Sequence, residues 1–403
     1  MLTEQCPGPL KLLSNYAVNQ IPLKYPMQVK TEVLIIGGGL AGLTAALHLQ
    51  KAGIDVLLIE KNTYPNHKVC GEYISNEVLP YLKWLDADPE ILGPSKIDKL
   101  LLSVVSGKSI TTELPLGGFG ISRYTLDNFL YHKFKHKGGR ILHDMVTSVE
   151  QRHDQSTIFT QQETEITAIR VIAAYGKRSA LDIKLKRLFI QKKSPFLAVK
   201  AHYSGQIPAD LVALHNFRGG YCGISQVEDQ KINVCYLADF RSFSKHKNIL
   251  SYQQEVLYEN PNLREFFESS QLLFDSPITI SQLAFGSKET VSDHMVMVGD
   301  SAGLIHPLCG NGMAIAIHSA KICAELLILF FSGKIKTRET VEKLYTLTWN
   351  SEFKSRLKMG SILSALLSRE QLANMLLKGL LFIPPALPFI IKRTHGKTLT
   401  PNL

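Results

Sequence analysis

The first regular pattern along the chain is a continuous apolar run, residues 33–36, that ends at three glycines. A segment that is apolar at every position is typical of a strand buried on both faces of a parallel sheet. Small and apolar residues at 45–49 predict a helix that packs closely on that sheet, and a second apolar run at 56–59 predicts another strand. The pattern over residues 31–62 therefore predicts a βαβ unit.

The turn of this unit carries the spacing Gly37-x-Gly39-x-x-Gly42. The first glycine permits a tight turn, the second lets the backbone approach a pyrophosphate, and the third lets the helix press on the strand. Glu60 ends the second strand, where a carboxylate can accept hydrogen bonds from ribose hydroxyls. Together these features predict a dinucleotide site. Its candidate contacts are Gly37, Gly39, Leu40, Ala41, Gly42, Glu60 and Lys61.

A second glycine-rich stretch lies far along the chain, at residues 299–321. A short strand predicted at 295–298 leads into Gly299 and Asp300, whose carboxylate can accept from a hydroxylated chain such as the ribityl of FAD. Gly310 and Gly312, followed by Met313, leave room for a flat ring at the start of a long apolar helix. A one-motif NAD dehydrogenase has no need of this stretch, whereas a large flavoprotein does, so the sequence favours FAD.

These segments resemble the FAD-dependent aromatic hydroxylase and geranylgeranyl reductase superfamily over roughly residues 31–330. The resemblance implies that the first loop binds the ADP part of FAD and that the later "GD" motif binds its ribityl chain. "ISRYTLDNFL", with Arg123 and Asp127, is similar to the family's arginine before a helix at the cofactor. "AAYGKRS" keeps Gly176 and Ser179 of the family's "GADGxxS" segment. Tyr175 replaces its aspartate, and this departure argues against hydroxylase-style use of NADPH.

Two features resemble the reductase branch of this superfamily. Gly303 stands where the hydroxylases usually carry a histidine, and Lys68, Cys70 and Gly71 match a "KxCG" segment. The W-x-W-x-I-P signature of flavin-dependent halogenases is absent from the sequence. The branch implies reduction of a C=C bond in an apolar or lipid-like substrate, with NAD(P)H, another reductant or an electron-donor protein as the source of electrons. Two alternatives stay open: hydroxylation of a phenolic or lipid-like ring, and a flavin electron carrier without its own substrate.

Residues 196–239 alternate in polarity and contain a Gly219-Gly220 turn, which predicts antiparallel strands that cover the flavin and form the substrate pocket. Reduction of an alkene needs a proton donor, although a structural role is the commoner explanation for each polar residue here. Cys70 is likewise either a neighbour of the flavin ring or a small buried residue at a glycine turn. The polar residues of the strands are His202, Tyr203, His215, Tyr221 and Cys222. The catalytic candidates are Cys70, Tyr203, His215 and Tyr221.

The formal net charge of +10 indicates attraction to phosphate groups. The basic residues are scattered and no nucleic-acid-binding signature occurs, so a nucleotide or an anionic lipid is favoured over nucleic acid. The segment 375–393 is largely apolar, but its uncharged part, 379–391, is too short and too rich in proline to span a bilayer. It is either a buried C-terminal element, or an interfacial patch or tunnel wall with Lys392, Arg393 and Lys397 at lipid headgroups.

Six scattered cysteines without a CxxC pair give no support for a metal site and suit a reducing cytoplasm. The expected fold is α/β, with a Rossmann-like FAD-binding domain, an inserted antiparallel β-rich substrate domain and a helical C-terminal cap. The expected divisions are a leader (1–30), the first part of the FAD domain (31–185, with a substrate-side excursion near 75–118), the substrate domain (186–285), the second part of the FAD domain (286–335) and the C-terminal region (336–403).

Overall fold

The computed structural model describes residues 28–191, 194–367, 369–383 and 386–401. The architecture is mixed α/β, as the sequence predicts, with two large sheets and a helical C-terminal region. The first strand begins at Gln28. The last three residues of the expected leader therefore belong to this strand, and the rest of the leader lies outside the described residues.

The first sheet contains the predicted βαβ unit. Its central strand includes the apolar run 33–36 and pairs in parallel with a neighbour on each side. The strand order is β17-β18-β9-β1-β2-β6, and β7 and β8 extend the sheet from β9 as an antiparallel meander. The strands are Gln28–Ile36 (β1), Val56–Ile59 (β2), Arg140–Leu142 (β6), Val146–Arg152 (β7), Gln155–Thr160 (β8), Glu165–Ala173 (β9), Val291–Ser292 (β17) and Met295–Met297 (β18).

The second sheet has nine strands and collects segments from two parts of the chain. Its order is β14-β10-β13-β12-β11-β4-β5-β3, with β15 also paired to β10. Only the pairing of β11 with β4 is parallel among the described strands of this sheet. The strands are Tyr73–Ser75 (β3), Ser95–Ser103 (β4), Ser109–Gly120 (β5), Phe196–Ser204 (β10), Leu211–Phe217 (β11), Gly220–Gln226 (β12), Ile232–Asp239 (β13), Gln271–Leu272 (β14) and Ile278–Ser281 (β15). Gly286–Ser287 (β16) and Gly303–Leu304 (β19) form a separate two-stranded sheet.

The helices fill the space around the two sheets. They are Leu40–Lys51 (α1), Leu79–Trp84 (α2), Arg123–His136 (α3), Ala180–Lys184 (α4), Phe240–Phe243 (α5), Ile249–Glu255 (α6), Pro261–Ser269 (α7), Gly312–Phe331 (α8), Arg338–Leu367 (α9), Glu370–Phe382 (α10) and Ala386–Thr394 (α11).

Helix α8 packs between α1 and α9 in the largest apolar core. It is the one helix in the described part of the chain that is long and apolar enough to cross a membrane, by length and composition alone. Its mean hydropathy is 1.8, and 56% of the apolar window is buried inside the protein.

The second sheet separates two apolar layers because side chains alternate between its faces. One face packs on α6 and α7 in a core of its own. The other face meets residues of the later glycine-rich stretch and of α9 and α10. The face toward the C-terminal helices is therefore the one that carries Ala198, Tyr221 and Leu237.

Candidate functional site

The glycine turn after β1 is built from main-chain contacts that leave no room for side chains. Gly37 has a φ of 106°, in the region that favours glycine. A Cβ on Gly42 would collide with the carbonyl oxygen of Gly37, because α1 begins directly against the turn. No described side chain caps the N-terminus of α1 at Gly39. Its first N–H groups are therefore available to a phosphate.

Glu60 lies at the carboxyl end of β2, beside this turn. Its Oε2 accepts a hydrogen bond from the N–H of Gly38 at 2.7 Å, and its Oε1 accepts from the N–H of Asn62 at 2.9 Å. The hydroxyl of Tyr64 donates to the carbonyl oxygen of Gly38. Lys61 lines a polar pocket next to this edge of the sheet. The carboxylate thus holds the glycine turn by hydrogen bonds, on the side on which a ribose would lie.

Two cations face the glycine turn and share one buried carboxylate. Arg123 donates through Nε and Nη2 to the two oxygens of Asp127, each at 2.7 Å, and Lys68 donates to the same carboxylate at 2.8 Å. Burial alone would raise the pKa of Asp127, but the charges of Arg123 and Lys68 lower it overall. A Cβ on Gly39 would lie 3.6 Å from Nη2 of Arg123 and 3.8 Å from Nζ of Lys68. The trio therefore places one net positive charge at the turn, which suits a diphosphate.

The later turn, Gly299–Ser301, is held by two buried cations. Lys288 donates to the carbonyl oxygen of Asp300 at 2.7 Å and to that of Lys177 at 2.8 Å. Arg187 donates to the carbonyl oxygen of the last residue of the turn at 2.9 Å. Burial lowers the pKa of Lys288 to about 8. These contacts fix Asp300 at the carboxyl edge of the first sheet.

The segment that carries Tyr175 passes next to this turn. The N–H of Gly176 donates to Oγ of Ser301 at 2.9 Å. The hydroxyl of Tyr175 donates to Oδ1 of Asp182 at 2.9 Å, and Asp182 also pairs with Arg187 at 2.9 Å. The position that carries an aspartate in the hydroxylases thus carries a phenol bound to a carboxylate on α4. Ser179 caps that helix.

The two glycine-rich segments expected at the flavin ring lie at the same end of the molecule. Gly310 has a φ of 63°, and Gly312 begins α8, whose N-terminus lacks a side-chain cap among the described residues. On the other side, Nδ2 of Asn233 donates to the carbonyl oxygens of Cys70 and Gly71, at 3.3 Å and 2.9 Å. The second sheet therefore fixes the position of the "KxCG" segment. The expected contact Met313 is buried in the core around α8.

A large apolar cavity adjoins both Gly71 and Gly310. Its volume is about 140 Å³. One wall is formed by β4 and β11–β13, and the other by the end of α9 with α10 and α11. Half of its lining residues are leucine or isoleucine. Its polar side chains include Tyr73, Tyr221, Ser225, Cys235, Thr394 and His395.

The C-terminal segment 375–393 forms part of this cavity. Leu380 and Ile391 line it, whereas Met375, Ile383 and Phe389 are 67%, 58% and 58% exposed. One side of α10 and α11 thus closes the cavity, and the other side presents large apolar side chains to the surface. The stretch is both a tunnel wall and an exposed apolar patch.

The structure brings only some of the catalytic candidates to the cavity. Tyr221 lines it, and Cys70 is half-buried next to the lining residue Gly71. Tyr203 packs in the core on the opposite face of the second sheet. The ring of His215 shares a hydrogen bond with Ser103 at 2.8 Å, and burial lowers its pKa to about 4. Tyr203 and His215 are therefore not proposed as proton donors.

Sequence reasoning missed a buried ionic cluster beside the "KxCG" segment. Lys200 donates to Oε1 of Glu72 at 3.0 Å, and Nε2 of His202 lies 2.7 Å from Oε2. The signal was present in the alternation of β10, which puts Lys200 and His202 on one face. Their partner could not be identified, because Glu72 is distant in sequence.

These residues fit FAD. The two glycine turns, the two cations beside Gly39 and the uncapped starts of α1 and α8 are the groups that could hold an extended dinucleotide. In the described residues, no group of three or more His, Cys, Asp and Glu side chains could hold a metal ion.

Comparison with known proteins agrees with this geometry. A family model described as an FAD binding domain matches residues 30–194. The chain is 24% identical over 317 residues to a menaquinone reductase of Mycobacterium tuberculosis, a match that covers 73% of this chain and 76% of that protein. It is 25% identical over 311 residues to digeranylgeranylglycerophospholipid reductase 2 of Methanothermobacter thermautotrophicus, covering 74% and 78%.

A flavin-dependent brominase shares the fold, with a TM-score of 0.75 at 16% identity over 91% of this chain and 93% of that one. The two sequence relatives described above are reductases by name, and the structural neighbour shows that the same fold also serves other flavin chemistry. FAD is the cofactor, and the chain is an FAD-dependent oxidoreductase that is similar in sequence to the menaquinone and digeranylgeranylglycerophospholipid reductases.

Proposed function

We propose that this oxidoreductase reduces a C=C bond in a prenyl or other long apolar chain. The supporting observation is the cavity between the second sheet and α9–α11, half of whose lining residues are leucine or isoleucine and which adjoins the proposed flavin end of the site. A long hydrocarbon chain gains free energy by leaving water for such a cavity, whereas a polar substrate would lose its hydration without replacement. The names of the two reductase relatives agree with this substrate class.

In this proposal the protein binds and orients the reactants and excludes water from them. The turn at Gly37–Gly42, with Arg123 and Lys68, holds the diphosphate, and Asp300 holds the ribityl chain. Bound FAD supplies the hydride chemistry. Leu380 and Ile391 keep water from the substrate chain. Tyr221 and Cys70 remain candidates for groups that contact the reacting carbon atoms.

The test is accurate-mass analysis of lipid extracts incubated with the FAD-loaded protein and a reductant, with and without air. Products heavier by two hydrogens, formed without air, are expected. Products heavier by one oxygen, formed only in air, would overturn the proposal in favour of hydroxylation. Flavin that is reduced and reoxidised with no lipid product would indicate an electron carrier.

We also propose that the outer side of α10 and α11 rests on an anionic lipid surface. The exposed apolar residues Met375, Ile383 and Phe389 lie among the exposed cations Lys378 and Lys392. Large apolar groups within a basic surface match the interfacial region of an anionic bilayer. Because the same helices close the cavity, a lipid chain would enter it directly from the bilayer.

Replacing Met375, Ile383 and Phe389 together by serine is expected to weaken binding to phosphatidylglycerol vesicles by roughly 100-fold, because three large apolar side chains no longer leave water. Vesicle co-sedimentation measures this. The matched control replaces Ile91, Ile183 and Leu188, which are 68%, 57% and 68% exposed, and should bind normally. Equal loss in both triple variants would contradict the proposal. A change in oligomeric state confined to the first variant would instead identify the patch as an interface between copies.

A further inference from the structure

A cluster of three ionisable side chains lies within the protein beside the cavity. Glu72 and Lys200 are 0% exposed and His202 is 3% exposed. Oε1 of Glu72 also accepts from the N–H of Arg123 at 2.9 Å, so both oxygens of the carboxylate have hydrogen-bond partners. Burial alone would raise the pKa of Glu72, but the hydrogen bond of His202 and the charge of Lys200 lower it overall.

Such a cluster is poorly explained by stability alone. A buried ion pair commonly contributes less to folding than apolar side chains of the same size, because both charges lose their hydration. Glu72 also has a φ of 54°, a strained value for a residue other than glycine. Strained backbone and buried ionisable groups both concentrate at functional sites.

The cluster adjoins the cavity through neighbours on three segments. Gly71, which precedes Glu72, lines the cavity. Ala198, two residues before Lys200 on the same face of β10, also lines it, as does Cys235, the strand partner of Lys200 on β13. The three ionisable side chains therefore lie directly behind the cavity wall at the end near the "KxCG" segment.

On its other side the cluster approaches the surface. The ring of His202 lies 5.1 Å from that of His67, which stacks at 4.6 Å on Tyr124. Tyr124 is 40% exposed, and Nδ1 of His67 has no hydrogen-bond partner within the described residues. Burial and then the charge of Lys200 lower the pKa of His67 to about 4, so this ring is neutral near pH 7.

We propose that Glu72, Lys200 and His202 form a proton reservoir that compensates the charge of the reduced cofactor. The inference rests on the proposed position of the flavin ring near Gly71. The opposite charges of Glu72 and Lys200 cancel within the cluster. FAD accepts two electrons from NAD(P)H or another reductant, one proton goes to N5, and the ring keeps one negative charge. A second proton from solvent then goes to the imidazole of His202, and the positive charge is shared with Glu72.

Other titratable groups also face the cluster and set its background charge. His67 and Glu228 face it from neighbouring loops, and Cys235 faces it from β13. Arg123 faces it from α3, where its side-chain charge is paired with Asp127. In the described structure, none of these side chains is hydrogen-bonded directly to a side chain of the cluster.

The test is the pH dependence of the midpoint potential of bound FAD, measured electrochemically without substrate. For a two-electron couple, each proton taken up contributes about 30 mV per pH unit. The wild-type holoprotein is expected to show two protons, a slope of about 59 mV per pH unit, between pH 6.5 and 8. His202→Asn keeps a hydrogen bond to Glu72 but does not titrate, so its slope should fall to about 30 mV.

His215→Asn is the matched control, because it replaces a buried histidine on the opposite face of the same sheet, and its slope should equal that of the wild type. If His202→Asn fails to retain FAD, the neutral double variant E72Q/K200M provides the same comparison and should also show the lower slope. A wild-type slope of about 30 mV, or equal slopes in the wild type and either variant, would overturn the reservoir. Because no substrate is present, that result would leave the proposed C=C reduction standing.

Discussion

Gly42→Ala is expected to weaken FAD binding by about 100-fold, a free-energy cost at the upper end of that for overpacking a closely packed site. A Cβ at this position would collide with the carbonyl oxygen of Gly37 and lie 3.3 Å from Cβ of Ala174. Relief requires α1 to move away from the first sheet. That movement displaces the N–H groups at the start of α1, which we expect to face the diphosphate.

The measurement is equilibrium titration of the apoprotein with FAD, followed by flavin fluorescence. Gly379→Ala is the control, because no atom lies within 4 Å of a Cβ there and the residue lies inside α10. It should bind FAD normally and be more stable by about 0.5–1 kcal/mol, since alanine favours a helix more than glycine does. Wild-type affinity in Gly42→Ala would show that the close packing of α1 does not position the cofactor.

The sequence predicts the FAD-binding half of the fold well because its signals are local. The apolar runs of β1 and β2, the glycine spacing and Glu60 all occur within a few turns of chain. Each of these features depends only on residues that are close in sequence. The second turn, at Asp300, is likewise encoded by residues that are close in sequence. Only its position beside the first turn depends on strand pairing in the first sheet.

The substrate half is less predictable because its contacts depend on strand register. Alternation shows that Tyr203 and His202 lie on opposite faces of β10, but it does not show which face meets the cavity. The pairing of β10 with β13 decides this, by placing His202 beside Asn233 and toward Glu72. The catalytic candidate Tyr203 consequently packs in the layer away from the cavity, whereas the neighbouring His202 lies on the same face as the cavity.

The C-terminal stretch shows why composition left two interpretations open. A buried element and an exposed apolar patch have the same sequence signature when a helix uses both of its sides. Leu380 lines the cavity, whereas Met375 faces outward from the same helix. The period of a helix predicts that it has two sides. It does not show that one apolar side lines a cavity while the other apolar side is exposed.

The cavity can be tested by filling it from Gly223, a residue of β12 that lines it. A Cβ there would make ordinary contacts, at 3.6 Å from the carbonyl oxygen of Cys235 and 3.6 Å from Cδ2 of Leu214. Gly223→Ala should therefore be tolerated. In Gly223→Phe the ring can extend only into the cavity, because the side chain leaves the sheet on that face.

Gly223→Phe is expected to lower kcat/KM for a long prenyl substrate by about 100-fold, because the ring occupies space that the substrate chain needs. FAD affinity should not change, since Gly223 contacts neither glycine turn. Assays with a series of prenyl chains distinguish the cause: shorter chains, which fill less of the cavity, should lose less activity than longer ones. Unchanged turnover of long chains by FAD-loaded Gly223→Phe would show that the substrate binds elsewhere. An equal loss for all chain lengths would mean that the ring disturbs the flavin end of the site rather than the channel for the chain.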